Sequence, residues 1–459
     1  MFMARGRNQV DMINGSIADK LLFFAVPLMI SSVLQLLFNA ADIVVVGRFA
    51  GSASLAAVGS TSSLINLTVN LFIGLSVGAN VVVARYAGAN NEEGVSKTIH
   101  TSMLISCIGG VVIAIFGFFA SRYLLELMGS PVDVIELSTL YLKIYFLGMP
   151  ATMVYNFGAA ILRAHGDTKR PLYYLTLAGV LNVLMNLFFV IILKMDVAGV
   201  ALATIISQYV SATLIVICMH NEEGAMKLRF DELQIDTSKL VEIIKIGLPA
   251  GLQGTIFSLS NVVIQASVNS FGSIVIAGNS AASNIEGFVY ASMNAFYQAA
   301  ITFTSQNMGA KKTDRVTKIL VRCQLMVVVI GLVLGLAATY FGDVLVGIYS
   351  NDPAVIEAGV VRLSIICRLY FLCGMMDVMV GSMRGIGYSV LPMIVSLCGA
   401  CGFRLLWVAT YFQMHRSISV LYASYPISWT ITFLCHVLCF LLVRKKAFKK
   451  VNQAIQENA

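Results

Sequence analysis

The segment FAVPLMISSVLQLLFN, at residues 24–39, and the segment IGLPAGLQGTIFSLSN, at residues 246–261, are two versions of one pattern. Pro27 lies opposite Pro249, and Asn39 lies opposite Asn261. The same offset, close to 221 residues, aligns ARYAGANNEEGVSKT (84–98) with SQNMGAKKTDRVTKI (305–319) and LRAHGDTKRP (162–171) with MRGIGYSVLP (383–392). The chain is therefore predicted to contain two tandem repeats, which are expected to be parallel and related by an axis along the membrane normal.

Apolar residues dominate both repeats. Of the 459 residues, 58% are hydrophobic and 12% are charged, whereas soluble domains carry about 25% charged residues. Many apolar runs approach the ~20 residues that a helix needs to cross a bilayer. These features predict an all-α polytopic membrane protein with about twelve transmembrane helices, six in each repeat. The predicted spans are 18–47, 53–84, 98–120, 136–163, 171–193, 197–219, 241–270, 275–305, 316–340, 356–383, 391–412 and 419–443.

The basic residues between the spans predict the orientation. Only Arg48, Arg122, Lys194 and Arg416 fall on one side of the predicted membrane. The other side holds Arg5, Arg7, Lys20, Arg85, Lys97, Arg163, Lys169, Arg170, Lys227, Arg229, Lys239, Lys311, Lys312, Arg315, Lys318, Arg384 and the run RKKAFKK. The positive-inside rule then predicts an inner-membrane protein with both termini in the cytoplasm. This rule explains the net charge of +8 without a nucleic-acid partner.

The polar segments between apolar runs predict the domain boundaries. We expect an N-lobe at residues 1–219, a cytoplasmic linker at 220–240, a C-lobe at 241–443 and a basic cytoplasmic tail at 444–459. The linker prediction rests on the longest polar stretch of the chain, HNEEGAMKLRFDELQIDTSK.

The segments VPLMISSVLQLLFNAADIVVVGRFAG, GLSVGANVVVARYAGA, LNVLMNLFFVIILKMDVAGVALAT, SQNMGA and SMRGIGYSVLP occur in order along nearly the whole chain. In these segments the chain resembles the MATE (multidrug and toxic compound extrusion) transporters, within the wider superfamily of exporters and flippases. The resemblance implies a V-shaped bundle with two lobes. It also implies a secondary active antiporter that exports amphipathic, often cationic, organic compounds in exchange for Na⁺ or H⁺ by alternating access. A flippase for a lipid-linked or polyisoprenoid cargo is the alternative, and the protein is expected to be a monomer.

One carboxylate, Asp42, lies in the first apolar run. Gln35, Asn39 and Asp42 are spaced i, i+4, i+7 and share one helix face. An acid within a membrane costs about 2.5–3.5 kcal/mol on insertion scales and usually faces a cavity or a partner. A water- or ligand-facing stripe is therefore predicted, although a carboxylate that snorkels to the interface, or polar contacts between helices, would give the same pattern.

The resemblance implies a cation or proton site at Asp42, Asn182, Asn186 and Thr204. One carboxylate, two amides and a hydroxyl supply hard oxygen ligands. A single negative charge suits a monovalent ion or one proton, since burial favours the protonated carboxyl. Some members of the family carry Asp at the position of Asn186, which favours Na⁺ slightly here. Hydrogen bonding between helices is the alternative role.

The second repeat contains its own charges inside the predicted spans. Glu286, Asp377 and Arg404 are expected to serve substrate binding or coupling, or to form a structural Glu286–Arg404 or Asp377–Arg404 pair. Asn66, Asn70 and Asn156 are further candidates for lining a cleft. Pro27 and Pro249 are predicted to kink their helices.

Two other classes of function lack support in the sequence. No G-x-x-x-x-G-K-[ST] motif for ATP occurs, so an ion gradient is the expected energy source. No close nucleophile–base pair or metal-ligand pattern stands out, so neither an enzyme, a metal site beyond a possible Na⁺ site, nor a cofactor other than the coupling ion is expected.

Overall fold

The computed structural model describes residues 9–130 and 133–456. These residues are overwhelmingly helical and include no β-strand. Arg5 and Arg7 of the orientation prediction lie outside the described residues, as do residues 457–459 of the predicted tail.

The helices follow one another with short connections. Their bounds are α1 Ile17–Val45, α2 Gly51–Gly88, α3 Glu92–Leu127, α4 Ile135–Leu147, α5 Met149–Ala164, α6 Lys169–Leu187, α7 Asp196–His220, α8 Thr237–Asn269, α9 Ser273–Gly309, α10 Thr313–Tyr340, α11 Gly342–Gly347, α12 Pro353–Ile366, α13 Phe371–Ile386, α14 Val390–Ser396, α15 Phe403–Ala409, α16 Tyr411–Met414 and α17 Ile418–Gln456. Three π-helical turns, Val46–Ala50, Phe188–Ile192 and Leu397–Gly402, continue α1, α6 and α14. Short 3₁₀ turns lie at Gly224–Met226, Phe230–Glu232 and Cys367–Leu369.

Most of the described helices are long and apolar enough to cross a bilayer. In the described part of the chain nine segments meet this condition alone, and two bent pairs, α4 with α5 and α12 with α13, raise the number to eleven. The remaining predicted span, 275–305, falls within α9, which is 37 residues long but is not among these apolar segments. The prediction of an all-α polytopic membrane protein is confirmed.

The two bent pairs have a local cause. The break between α4 and α5 is at Gly148, two residues before Pro150, and the bend there is 46°. The break between α12 and α13 follows the 3₁₀ turn Cys367–Leu369, with a bend of 45°. Proline and tight 3₁₀ turns both interrupt the regular i→i−4 hydrogen bonds of a helix.

The chain forms two compact units. The first contains residues 30–247 and the described residues before Asp11, and the second contains Asp11–Met29 and residues from Leu248 onward. Unlike the division predicted from the sequence, this grouping assigns residues 11–29 to the second unit, so α1 and α8 each have residues in both units. The lobe boundaries at 219, 240 and 443 stay a prediction.

The prolines lie close to these changes of unit. Pro27 is inside α1 and Pro249 is inside α8. A proline lacks the N–H that would bond the carbonyl four residues earlier, so each helix has one missing bond at matched positions. The predicted kinks stay predictions.

The segment that links the two halves packs against the first unit. Met226 and Leu228 are buried, with exposed fractions of 3% and 2%, in a core that includes Phe157 and Ile99. His100 Nε2 accepts a hydrogen bond from the backbone N–H of Arg229 at 3.1 Å. The predicted linker is therefore an ordered part of this unit, because two of its apolar side chains are buried in the core.

Candidate ion-binding site

A glycine brings α1 and α6 together near the predicted site. A Cβ atom on Gly179 would lie 1.9 Å from Cε2 of Phe38, so only glycine permits this approach. Asp42 lies one turn after Phe38, and Asn186 lies two turns after Gly179. Gly179 thus leaves room for the Phe38 ring, and this contact joins α1 to α6 one to two turns before the two polar side chains.

The four predicted ligands form one connected group. Asn186 Nδ2 donates a hydrogen bond to Oδ1 of Asp42 and lies 3.4 Å from Oδ1 of Asn182. Asn182 Nδ2 donates to Oγ1 of Thr204 at 3.4 Å. Thr204 Oγ1 in turn donates to the backbone carbonyl of Val200 at 2.9 Å. Residues from α1, α6 and α7 thus converge within the first unit.

One oxygen of this group has no partner. Asn186 is fully buried, and its Oδ1 has no hydrogen-bond donor among the described residues. An unsatisfied buried amide oxygen costs roughly 1–3 kcal/mol. Such an oxygen, on the side chain that contacts the Asp42 carboxylate, is suited to bind a cation or to accept a hydrogen bond from a protonated group.

The neighbouring helix ends are irregular. The π-helical turn Val46–Ala50 begins four residues after Asp42, and the turn Phe188–Ile192 begins two residues after Asn186. π-Helical turns occur often at functional sites. An apolar cluster closes this end of the unit, with Val45, Val46, Ala57, Tyr141, Val190, Val197, Val200 and Ala201.

Tyr141 is a neighbour of the site that was not predicted. It is buried in α4, stacks against Tyr145 with ring centroids 6.2 Å apart, and interacts electrostatically with Asp42. Because Tyr141 is one aromatic residue among many in apolar spans, the sequence carries no signal that could have identified it.

Three other polar candidates of the first repeat form no hydrogen bond with this group in the described part of the chain. Gln35, Asn39 and Asn66 are exposed, and none of them has a hydrogen bond to Asp42 within the described residues. Asn156 donates to the carbonyl of Thr152 in its own helix at 2.9 Å. Asn70 is half-buried.

In the second unit, Glu286 pairs with Arg362. The Nε and Nη2 atoms of Arg362 donate to the two carboxylate oxygens of Glu286 at 2.8 and 2.7 Å, and Nη1 donates to Oδ1 of Asn279 at 2.7 Å. The Glu286–Arg404 pair, which the sequence left open as one alternative, is therefore wrong, because the partner of Glu286 is Arg362; a role of Glu286 in substrate binding or coupling stays a prediction. Sequence reasoning missed Arg362, although a charge inside the predicted span 356–383 was a usable signal.

Arg404 has a different environment. Its Nε donates to Oγ of Ser428 at 2.9 Å, and its guanidinium lies over the rings of Tyr425 and Trp429, at 4.3 and 5.5 Å from their centroids. Asp377 interacts with Tyr290 and forms no ion pair with Arg404 within the described residues, so the alternative Asp377–Arg404 pair is also wrong. A role of Asp377 or Arg404 in substrate binding or coupling stays a prediction. Aromatic faces and a hydroxyl stabilise the buried Arg404 cation instead.

These charges do not amount to a transition-metal centre. Residues 9–130 and 133–456 contain no group of three His, Cys, Asp or Glu side chains that could hold a metal ion. The Asp42 group has one carboxylate only, together with neutral oxygens, which fits a monovalent cation or a proton better than a divalent metal.

Comparison with known proteins identifies the family. The MatE family pattern matches residues 27–188 and, a second time, residues 249–409. The chain belongs to the MatE family. The resemblance to MATE transporters is confirmed, and the two matches coincide with the two repeats seen in the sequence. MATE proteins are transporters and not enzymes.

Relatives match most of the length of the chain. The "Probable multidrug resistance protein YoeA" of Bacillus subtilis strain 168 is 28% identical over 446 residues, which are 94% of this chain and 95% of that protein. The "Probable multidrug resistance protein NorM" of Thermotoga maritima is 25% identical over 406 residues, 87% of each chain. A crystal structure of MATE in complex with MaL6 has a TM-score of 0.90 at 21% identity and covers 98% of this chain and all of the other. The chain is thus a multi-pass membrane transporter with the MATE fold.

Proposed function

We propose that this protein exports amphipathic, often cationic, organic compounds across the plasma membrane in exchange for Na⁺ or H⁺. The observation that carries the ion coupling is the contact of the Asp42 carboxylate with Asn186, whose buried Oδ1 has no donor in the described part of the chain. A cation or proton there would neutralise the carboxylate and satisfy this oxygen. The names of the relatives from Bacillus subtilis and Thermotoga maritima support organic compounds as the cargo.

The proposed coupling acts through α1. Asp42 lies in the part of α1 that belongs to the first unit, while the residues of α1 before Ile30 belong to the second. A change in charge at Asp42 would alter its hydrogen bond to α6, and α1 would transmit the change along the chain. Alternating access follows if the ion and the substrate favour different conformations.

The topology of the proposed exporter follows the basic residues. We place both termini in the cytoplasm by the positive-inside rule, and we propose that the protein acts as a monomer driven by an ion gradient. The flippase alternative requires cations that are free to bind phosphates. Arg404 is buried against Tyr425, Trp429 and Ser428, which favours the exporter.

Transport in liposomes tests the proposal. The purified protein is reconstituted, and ethidium movement is followed with a Na⁺ gradient alone, an H⁺ gradient alone, or neither. Asp42→Asn is expected to abolish the movement that either gradient drives. Asp196→Asn is the matched control, because Asp196 is exposed at the start of α7 and its replacement removes the same charge.

The outcomes separate the alternatives. Movement that needs one gradient and is lost only in Asp42→Asn supports the antiporter and names the ion. Transport by Asp42→Asn at the wild-type rate, or wild-type transport without any gradient, contradicts it.

A further inference from the structure

Helix α17 is too long for a bilayer. It contains 39 residues, which at 1.5 Å per residue give a length of ~58 Å. The hydrocarbon core is about 30 Å thick. The final turns of α17, which contain the run RKKAFKK at residues 444–450, must therefore lie in or beyond the headgroup region.

One face of these turns is fixed to the second unit. Val443 and Ala447, one turn apart, are buried with exposed fractions of 4% and 7%. Between them, Arg444 Nη1 donates to Oγ1 of Thr317 in α10 at 3.3 Å. This part of α17 is therefore packed on its unit.

The opposite face of α17 changes abruptly from apolar to cationic. Leu438 and Leu442 are exposed, with fractions of 64% and 67%, as lipid-facing residues would be. The exposed residues that follow within two turns are lysines, namely Lys445, Lys446, Lys449 and Lys450.

Helix α10 shows the same change. Val329, Leu325 and Val321 are exposed, with fractions of 57%, 55% and 51%, and the exposed Arg322 and Lys318 lie beside Val321, toward the start of the helix. Positions three and four apart share a helix face. Two helices that touch at Thr317 thus both exchange apolar for basic side chains at one end of the second unit.

These cations have no acidic partners. We call Lys318, Arg322, Lys445, Lys446, Lys449 and Lys450 the basic surface. None of its six members forms an ion pair within the described residues, and the acid that lies within the bounds of α10 and α17 is Asp314 alone. Positive charge of this density attracts anions.

We propose that the basic surface binds the phosphate headgroups of anionic phospholipids in the membrane leaflet around it. From Leu442 to Lys449 the helix rises ~10 Å, enough to cover the distance from acyl chain to headgroup phosphate. The exposed leucines and lysines follow one another on one face, so one lipid can contact both. A soluble phosphate would gain nothing from the apolar part, and this favours a lipid as the occupant.

Lipid titration of the full-length protein in detergent tests this proposal. The protein is labelled with a fluorophore and titrated with dioleoyl phosphatidylglycerol or dioleoyl phosphatidylcholine, at low and at high salt. The wild type is expected to bind phosphatidylglycerol about tenfold or more tightly than phosphatidylcholine at low salt, and the preference should weaken at high salt because ions screen exposed charges.

Two quadruple variants with equal loss of charge make the result specific. The variant K445Q/K446Q/K449Q/K450Q should lose the preference, and replacement of the same lysines by arginine should keep it. The control variant K97Q/K169Q/K194Q/K245Q removes four cations from the first unit and should leave the preference unchanged.

Three results would overturn the proposal. The first is equal binding of both lipids by the wild type at low salt. The second is a loss of preference in the control variant as large as in K445Q/K446Q/K449Q/K450Q. The third is displacement of phosphatidylglycerol by inorganic phosphate at equal concentration. The titration involves no transport, so its result is independent of the proposed export activity.

Discussion

Removal of Arg362 should destabilise the second unit strongly. Two N–O contacts of 2.7 and 2.8 Å join Arg362 to Glu286, and the two side chains are only 8% and 7% exposed. At a charge separation of ~4 Å and an effective dielectric constant of ~20, the pair gains about 4 kcal/mol of Coulomb energy. Removing one partner of a buried pair costs about 3–5 kcal/mol, because the other charge stays buried without compensation.

We therefore expect Arg362→Met to lower the free energy of unfolding by about 3–5 kcal/mol. The double replacement Glu286→Leu with Arg362→Met should recover most of this loss, since it leaves no unpaired charge. Arg416→Met is the control, because Arg416 is exposed in the same unit. Exposed charges contribute about 0–1 kcal/mol.

Tryptophan fluorescence measures this effect in the relevant unit. The chain has two tryptophans, Trp407 and Trp429, and both belong to the second unit. Denaturant titration in mixed micelles, followed by this fluorescence, gives the free energies for a double-mutant cycle. A coupling between Glu286 and Arg362 near zero, or an equal loss in Arg362→Met and Arg416→Met, would refute the assignment of the pair as a major stabilising contact.

Two further predictions concern a close backbone contact and the linker. Gly335→Ala should destabilise the second unit by about 1–3 kcal/mol, because a Cβ there would lie 2.1 Å from the carbonyl oxygen of Cys367. Gly347→Ala is the control and should not destabilise it, because the nearest atom to its Cβ would be 3.9 Å away. Equal free energies of unfolding for the two variants, measured by tryptophan fluorescence, would contradict this reasoning. His100→Ala removes the side-chain acceptor of the Arg229 N–H, so trypsin should cleave after Arg229 several-fold faster, whereas an unchanged rate of cleavage would mean that this hydrogen bond does not hold the linker.

The transmembrane helices could be predicted because their signal is local. An apolar run near ~20 residues must become a helix in lipid, where each backbone polar group needs a partner in its own segment. Helix α9 contains a predicted span but is not among the described segments that are apolar enough to cross a membrane. It carries Glu286 and Asn279, whose partners lie in other helices.

The candidate ion site was predictable in part. Asn182 and Asn186 lie one turn apart on one helix, so their shared face follows from the sequence. Their distance from Asp42 and Thr204 depends on how α1 and α7 pack against α6, where the Phe38 ring lies against Gly179. Gln35 and Asn39 show the limit of the same reasoning, since they share the helix face of Asp42 but are exposed and form no hydrogen bond with Asp42 among the described residues.

The wrong pairing of Glu286 with Arg404 has a similar cause. Both residues were correctly seen as charges inside spans, and a buried acid does require a partner. The partner is Arg362, 76 residues away along the chain, while Arg404 is satisfied by Ser428 and aromatic rings. The rotation of each helix about its axis decides which cation faces the acid. This rotation is difficult to predict from the sequence of a helix that is apolar on most of its faces.

The amino-acid sequence by itself determined that this protein lies in a membrane and consists of helices, because these properties follow from the hydrophobicity of contiguous residues. It also determined that the halves repeat, because the same residue types recur in order at a constant offset. Only the tertiary structure decided which polar groups meet, that the central linker is packed within the first unit, and that the four lysines near the end of α17 are exposed. Those outcomes depend on contacts of a few ångströms between helices, and such contacts are set by the packing of many side chains together.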